Sequence, residues 1–241
     1  MLIIIVILLL PRPAYALDTP APLGALGVIS PKLKFEAREL VDAPTAGMRH
    51  RGQFGLRLAS YPSDGLLAEM NLGVATWGEV GVSYGATRLF GDGRPGFNPR
   101  LEVNAKLRVL NEDWVPPALV VGVNTQGWGA YLPDKKRFMG KSKGLYVAAS
   151  KNFDLAGLDW GLHVGINRSF ETGDGDGDLD LWLGTNLDIV EQLSLVAEYD
   201  PALNDNGKTQ GLNRAYEVGR FSPCVFPLRS EEHTSELQSQ R

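Results

Sequence analysis

From residue 53 onward the chain alternates apolar residues with polar or very small ones in short runs. A period of two marks a strand with two unlike faces, so this alternation commits the chain to sheet before any other feature is weighed. In 101–109, Leu101, Val103, Ala105, Leu107 and Val109 take one face, and Glu102, Asn104, Lys106 and Arg108 the other. In 68–74, Ala68, Met70, Leu72 and Val74 oppose Glu69, Asn71 and Gly73; in 80–86, Val80, Val82, Tyr84 and Ala86 oppose Gly81, Ser83 and Gly85. Residues 160–166 set Gly161, His163 and Gly165 against Trp160, Leu162, Val164 and Ile166. Further strands are expected at 53–60, 117–126, 144–153, 179–187 and 193–200, with a tenth beginning near Asn213.

The polar face is the informative one. A soluble sandwich packs bulky apolar residues inside and keeps the other face rough and polar. Here one face is aliphatic and the other mixes glycines with opposite charges such as Glu102, Lys106 and Arg108. A barrel with a lipid-facing exterior and a polar lumen calls for that combination. The expected fold is all-β: an antiparallel transmembrane β-barrel, incomplete, occupying 53–221.

The connections point the same way. Short links fall near 75–78, 110–116, 154–157 and 188–192, and long ones near 89–98, 127–143, 171–178 and 201–212, with 61–65 intermediate. Membrane barrels alternate tight periplasmic turns with long extracellular loops. Aromatics sit where interfacial belts belong: Trp77, Trp114, Phe153 and Trp160 beside the short links, and Tyr84, Phe90, Trp128, Phe170 and Tyr199 beside the long ones. Aromatic capping of a soluble barrel is the alternative. Trp182 breaks the pattern, because parity sends it inward between Asp180 and Gly184, where only contact with a plug accounts for it.

The ends read differently. Leu2 to Leu10 is an unbroken aliphatic run of nine residues, followed by a small-x-small Ala14-Tyr15-Ala16, so 1–16 is expected to be a secretory signal peptide cleaved after Ala16. Nine residues are too few to span a bilayer as a helix, which takes about 20. Residues 17–52 do not alternate, hold Pro20, Pro22, Pro31 and Pro44, and are expected to form a periplasmic lead-in with a short helix or strand around 33–41. Residues 229–241, RSEEHTSELQSQR, resemble a translated sequencing adapter and are set aside as an artefact, with 222–228 doubtful and the native C-terminus missing. Without that tail the chain has 22 basic and 25 acidic residues, an acidic balance that argues against nucleic acid as a partner. The single cysteine, Cys224, offers neither a disulfide nor a lipid attachment near the cleavage site.

Four short stretches, at 78–84 (GEVGVSY), 116–122 (PPALVVG), 144–151 (GLYVAASK) and 158–161 (LDWG), with Ala197-Glu-Tyr-Asp200, resemble the YjbH-type outer-membrane barrel proteins over about 70–200. The resemblance implies a bacterial outer-membrane protein tied, in some members, to exopolysaccharide or capsule export, and carries over no catalytic residue. The chain departs from that family in its shorter length and its lack of a lipid-attachment cysteine.

Candidate chemistry is sparse. Asp174, Asp176, Asp178 and Asp180, kept supple by Gly175 and Gly177, are spaced to converge on Ca²⁺; yet Thr185 stands where a calcium loop needs its bidentate Glu, and Asp-Gly is also ordinary hairpin chemistry. No other cofactor is expected. A basic loop holding Lys135, Lys136, Arg137, Lys141 and Lys143 is a candidate surface for phosphates of lipopolysaccharide or an acidic polysaccharide, with a plain solvated loop as the alternative. The lumen charges Glu69, Glu102, Lys106, Arg108 and Glu198 either tune solute passage or form a static network that keeps the interior closed. His163 lies inside the barrel segment, but the spacing of Ser83, Ser150 and Ser169 pairs none of them with it, so no catalytic role is expected. The expected function is that of an outer-membrane pore or a component of exopolysaccharide or capsule export, without catalysis and with outer-membrane lipid as its surroundings. The rivals are a secreted soluble β-protein acting as a binding module, and an outer-membrane lipid-modifying enzyme, which requires a serine within reach of His163.

Overall fold

A computed structural model describes residues 36–61, 64–90, 94–155, 158–190, 193–205 and 220–225. The signal-peptide segment, the first half of the lead-in, the strand expected near Asn213 and the adapter-like tail lie outside the described residues. The strands are β1 (Phe54–Tyr61), β2 (Gly65–Ala75), β3 (Gly78–Thr87), β4 (Gly96–Phe97), β5 (Glu102–Leu110), β6 (Ala118–Asn124), β7 (Trp128–Leu132), β8 (Arg137–Gly140), β9 (Gly144–Leu155), β10 (Leu158–Arg168), β11 (Asp180–Val190), β12 (Leu193–Tyr199) and β13 (Arg220–Val225). Nine of these, in the order β1-β2-β3-β5-β6-β9-β10-β11-β12, pair antiparallel in one strongly curled open sheet, a half-barrel. The short β4 and β13 pair with β3 and β12, and β7 with β8 forms a separate hairpin. The described residues contain no α-helix.

Each long strand falls on a segment that the alternation marks, and sequence neighbours pair as hairpins. Two residues separate β2 from β3, β9 from β10 and β11 from β12, whereas β3 to β5, β6 to β9 and β10 to β11 are joined by long connections. Hairpin register follows from the turn. The pair Leu155↔Leu158 sets every later pair up to Asn167↔Tyr146.

The two faces are inverted relative to a water-soluble sheet. On β5, Val103 and Leu107 are 48% and 50% exposed, while Glu102 and Lys106 are 1% and 6% exposed. The same holds for Met70, Leu72, Val80, Val82, Val164 and Ile166 outside, against Glu69, Asn71, Ser83, His163 and Asn167 inside. Glycines make the inner face passable. Gly81 lies across from Asn71 on one neighbour and Asn104 on the other, and a Cβ there would overlap both amides. Gly165 faces Trp182 across β10 and β11, and a Cβ would run into the indole.

Part of the expected lead-in segment fills the concave side of the sheet. Residues 36–50 enter the curl as a loop closed by a bridge between Glu39 and Pro44. No helix or regular strand forms in its described part. Leu40, Ala43, Ala46 and Met48 pack on Ala118, Val120, Tyr146, Ala148, Trp182 and Val196 in an apolar seam, and Ala59, Tyr61, Leu67 and Trp128 form a smaller apolar cluster beside it among the described residues.

Candidate functional site: the plugged interior

A segment threaded through a polar interior buries its own N–H and C=O groups, and each needs a partner. The strands supply them from their inward side chains. Glu198 of β12 accepts from the N–H groups of Val41, Asp42 and Ala43 at 2.9, 2.9 and 3.0 Å, a carboxylate seated in consecutive backbone amides. Lys106 of β5 donates to the carbonyls of Arg38 and Gly47, both at 3.1 Å. Arg57 of β1 donates to the Val41 carbonyl at 2.9 Å and pairs with Glu39 at 3.1 Å and Glu69 at 3.5 Å. Arg108 binds Glu36 and donates to the Ala46 carbonyl at 2.6 Å. In the other direction, Arg49 of the plug forms a buried ion pair with Glu79 of β3, while its N–H donates to the same carboxylate at 2.8 Å.

The five expected lumen charges, Glu69, Glu102, Lys106, Arg108 and Glu198, lie on the concave side of the sheet, buried or nearly so. Lys106, Arg108 and Glu198 grip the plug directly, and Glu69 acts through Arg57. Glu102 pairs with Arg100 at 2.9 Å. Trp182 now has its account: the indole is fully buried and donates to the Pro44 carbonyl at 3.2 Å.

One grouping contradicts the sequence reading. Ser150 lies opposite His163 in the β9–β10 register, with Ser150 Oγ 2.7 Å from His163 Nδ1, and His163 Nε2 lies 2.7 Å from Asn186 Oδ1. Serine, imidazole and an orienting amide in a chain is the layout of an activated nucleophile. Ser150 Oγ is already the acceptor for the Ala46 N–H at 2.8 Å, and all three side chains are buried beneath the plug. Counting outward from the tight β9–β10 link would have put Ser150 opposite His163 from sequence alone.

At the long-loop end a second set of charges closes the mouth. The basic loop is expected to face outward, but Arg137, Lys141 and Lys143 are buried. Arg137 donates to both oxygens of Asp205 at 2.7 Å and pairs with Asp174. Lys141 pairs with Asp174 at 2.9 Å and donates to the carbonyls of Asp176 and Asn204 at 2.8 and 2.6 Å. Lys143 pairs with Asp200. Of the five basic residues, Lys136 alone is exposed and Lys135 is half-buried. Trp128, expected in an outer belt, also turns inward against Tyr61.

The aspartate run does not converge. Asp174 is taken by the two cations, Asp176 accepts from the Asp178 N–H at 3.2 Å, Asp178 is exposed and Asp180 belongs to β11. Among the described residues no three His, Cys, Asp or Glu side chains are placed to hold a metal. Burial opposes ionisation of Asp174, yet hydrogen bonds from Lys141, the Asp176 N–H and Arg137 hold its carboxyl below the ordinary range. Asp200, opposed by burial in the same way, is held low by Lys143. Glu171 goes the other way: burial outweighs the two N–H donors, Phe138 and Ser142, and raises it.

No family description, curated protein or solved structure matches the chain.

Proposed function

We propose that this chain is an outer-membrane β-barrel protein of a Gram-negative bacterium, closed at rest by its own segment 36–50, and that it serves in the export or passage of an envelope polysaccharide. The inverted sheet carries this reading: aliphatic side chains cover the outside while ions and amides fill the inside. In water such a face would be a very large apolar patch, which soluble proteins avoid; in lipid it is the required surface. Exposed Trp77 and Trp114 at the short-link end, with Tyr84, Phe90, Phe170 and Tyr199 at the other, support two interfacial belts. Lipid leaves no water to satisfy an open sheet edge, so the reading requires further strands to pair the edges in the assembled protein. The polysaccharide role is supported by the resemblance to YjbH-type proteins. The gripped plug favours a gated path over a standing pore.

Membrane fractionation and single-channel recording test this. The protein is expected in the outer-membrane fraction, with little conductance when intact and steady conductance once 36–50 is deleted. Recovery in the soluble periplasmic fraction, without detergent, would contradict the membrane reading.

A second reading, a lipid-modifying hydrolase, is favoured by Ser150, His163 and Asn186. It requires the plug to leave Ser150. Ester hydrolysis that appears on deleting 36–50 and vanishes with Ser150→Ala would establish it; without such activity the relay is a docking contact for Ala46.

A further inference from the structure

Between the plug and the inner face of β1, β2, β3, β5 and β6 lies a chamber of about 520 Å³ counting its opening. Its wall carries a row of side-chain amides set by the strand register. Asn71 of β2 lies across from Gly81 of β3, Gly81 from Asn104 of β5, and Asn104 from Asn124 of β6. All three asparagines line the chamber, and Trp128 and Tyr146 add aromatic surface to it.

The charges of the wall are already committed. Arg57 pairs with Glu39 and Glu69, Lys106 donates to the carbonyls of Arg38 and Gly47, and Glu79 pairs with Arg49. The amides keep capacity to spare. Asn71 is 2% exposed; its Nδ2 donates to Glu69 at 2.8 Å, but its Oδ1 has no hydrogen-bond partner. Asn104 spends its Nδ2 on Glu69 at 3.1 Å, and Asn124 spends its Oδ1 on the Gln126 N–H at 3.0 Å. The Asn104 oxygen and the Asn124 amino group, neighbours in the row, have no hydrogen-bond partner among the described residues. A buried acceptor left idle is costly. The chamber thus offers two neutral acceptors, one neutral donor and aromatic surface.

We infer, resting on the polysaccharide role proposed above, that this chamber binds one uncharged hexose unit of a glycan. A sugar hydroxyl both donates and accepts. Hydroxyls of the unit donate to Asn71 Oδ1 and Asn104 Oδ1 and accept from Asn124 Nδ2, while the apolar C–H face of the ring lies against Trp128 and Tyr146. A charged ligand would have to break one of the existing ion pairs, leaving a buried charge without its partner. The chamber is built by the sheet and the plug, so it is present whether or not the sheet lies in lipid.

The test is a calorimetric titration of the full chain, folded in detergent, with D-glucose, D-galactose and D-mannose, and with the uronate and 2-amino form of each. Folding is checked beforehand by circular dichroism. Saturable binding of at least one neutral hexose is expected, with its uronate and its amino form each at least about ten-fold weaker. Asn71→Leu, of similar volume, is expected to weaken the neutral sugar by at least about ten-fold. No saturable binding of any of the three hexoses by folded protein, a charged form binding as tightly as its neutral parent, or full binding by a folded Asn71→Leu variant would each overturn the inference. Should that variant fail to fold, the neutral-against-charged comparison on the unaltered chain decides alone. Hexose binding by a protein recovered in the soluble fraction would sink the membrane reading and leave the chamber standing; an outer-membrane protein that binds no hexose would do the reverse.

Discussion

The plug and the loop cap both close the interior, but by different chemistry. The plug, 36–50, is held largely through its main chain: its amides and carbonyls bond to strand side chains such as Glu198, Lys106, Arg57 and Trp182, and ion pairs of Glu36, Glu39 and Arg49 with Arg108, Arg57 and Glu79 add to this. The cap is held through side chains on both partners, chiefly Arg137 and Lys141 on one loop with Asp174 and Asp205 on others. Main-chain recognition asks little of the residues recognised, which are largely Ala, Gly and Pro from 43 to 47. It asks a great deal of the strand residues that do the recognising. Side-chain recognition fixes both partners and ties the cap to their charge states.

The largest effect is expected where one side chain serves several plug amides. Glu198→Leu strands three N–H donors and removes a carboxylate beside Lys143, so a loss of about 3–5 kcal/mol is expected in urea unfolding followed in detergent. A loss below 1 kcal/mol would mean the plug is not held as described.

Arg137→Met comes next. It leaves Asp205 without its two-pronged partner and takes one of two cations from Asp174, at a cost of about 3 kcal/mol. That loss is expected to fall on the cap, with protease cleavage appearing within 128–143 while the sheet stays protected. Equal loosening of plug and cap would erase the contrast between them. Trp182→Phe keeps the ring in the seam and removes one hydrogen bond to Pro44, so about 1–2 kcal/mol is expected, read as faster amide exchange in the plug.

The smallest effect is that of pH, and within the cap it runs in both directions. Asp174 and Asp200 have folded values below the ordinary aspartate one, so their contribution is present above about pH 4 and is lost as pH falls through the depressed values. Glu171, raised by burial, acts oppositely, contributing at low pH and losing that contribution as pH rises through its folded value. On acidification the cap is expected to become protease-sensitive when Asp174 and Asp200 take up protons. Amide exchange across 128–143 between pH 3 and 6 checks this, and unchanged cap protection would contradict it.

The sheet was legible because its signal is local. Alternation such as that of 101–109 places β5 and both its faces without reference to any other residue. Hairpin links then fix the neighbours. The plug was illegible because its partners lie far away in sequence: Glu198 is 157 residues from Val41, and no periodicity marks a segment whose backbone does the bonding. The basic loop misled for a related reason. Five cations in one stretch read as a solvated surface, and only the meeting of that loop with Asp174, Asp200 and Asp205 turns three of them inward. Trp182 was the one local hint of something inside, since an inward indole needs a partner for its N–H. The Ser150–His163 contact was within reach of simple register counting.

The central claim is that the aliphatic outer face meets hydrocarbon while the plug keeps water-borne solutes from the inner one. Nitroxide labels attached to single cysteines at Val82, Val103 and Leu107, in a Cys224→Ser background reconstituted in lipid vesicles, test it directly. Relaxation by dissolved oxygen is expected to be strong at all three sites and relaxation by a water-soluble nickel chelate weak, since lipid concentrates the first and excludes the second. Strong relaxation by the chelate at these sites would place the face in water and contradict the account.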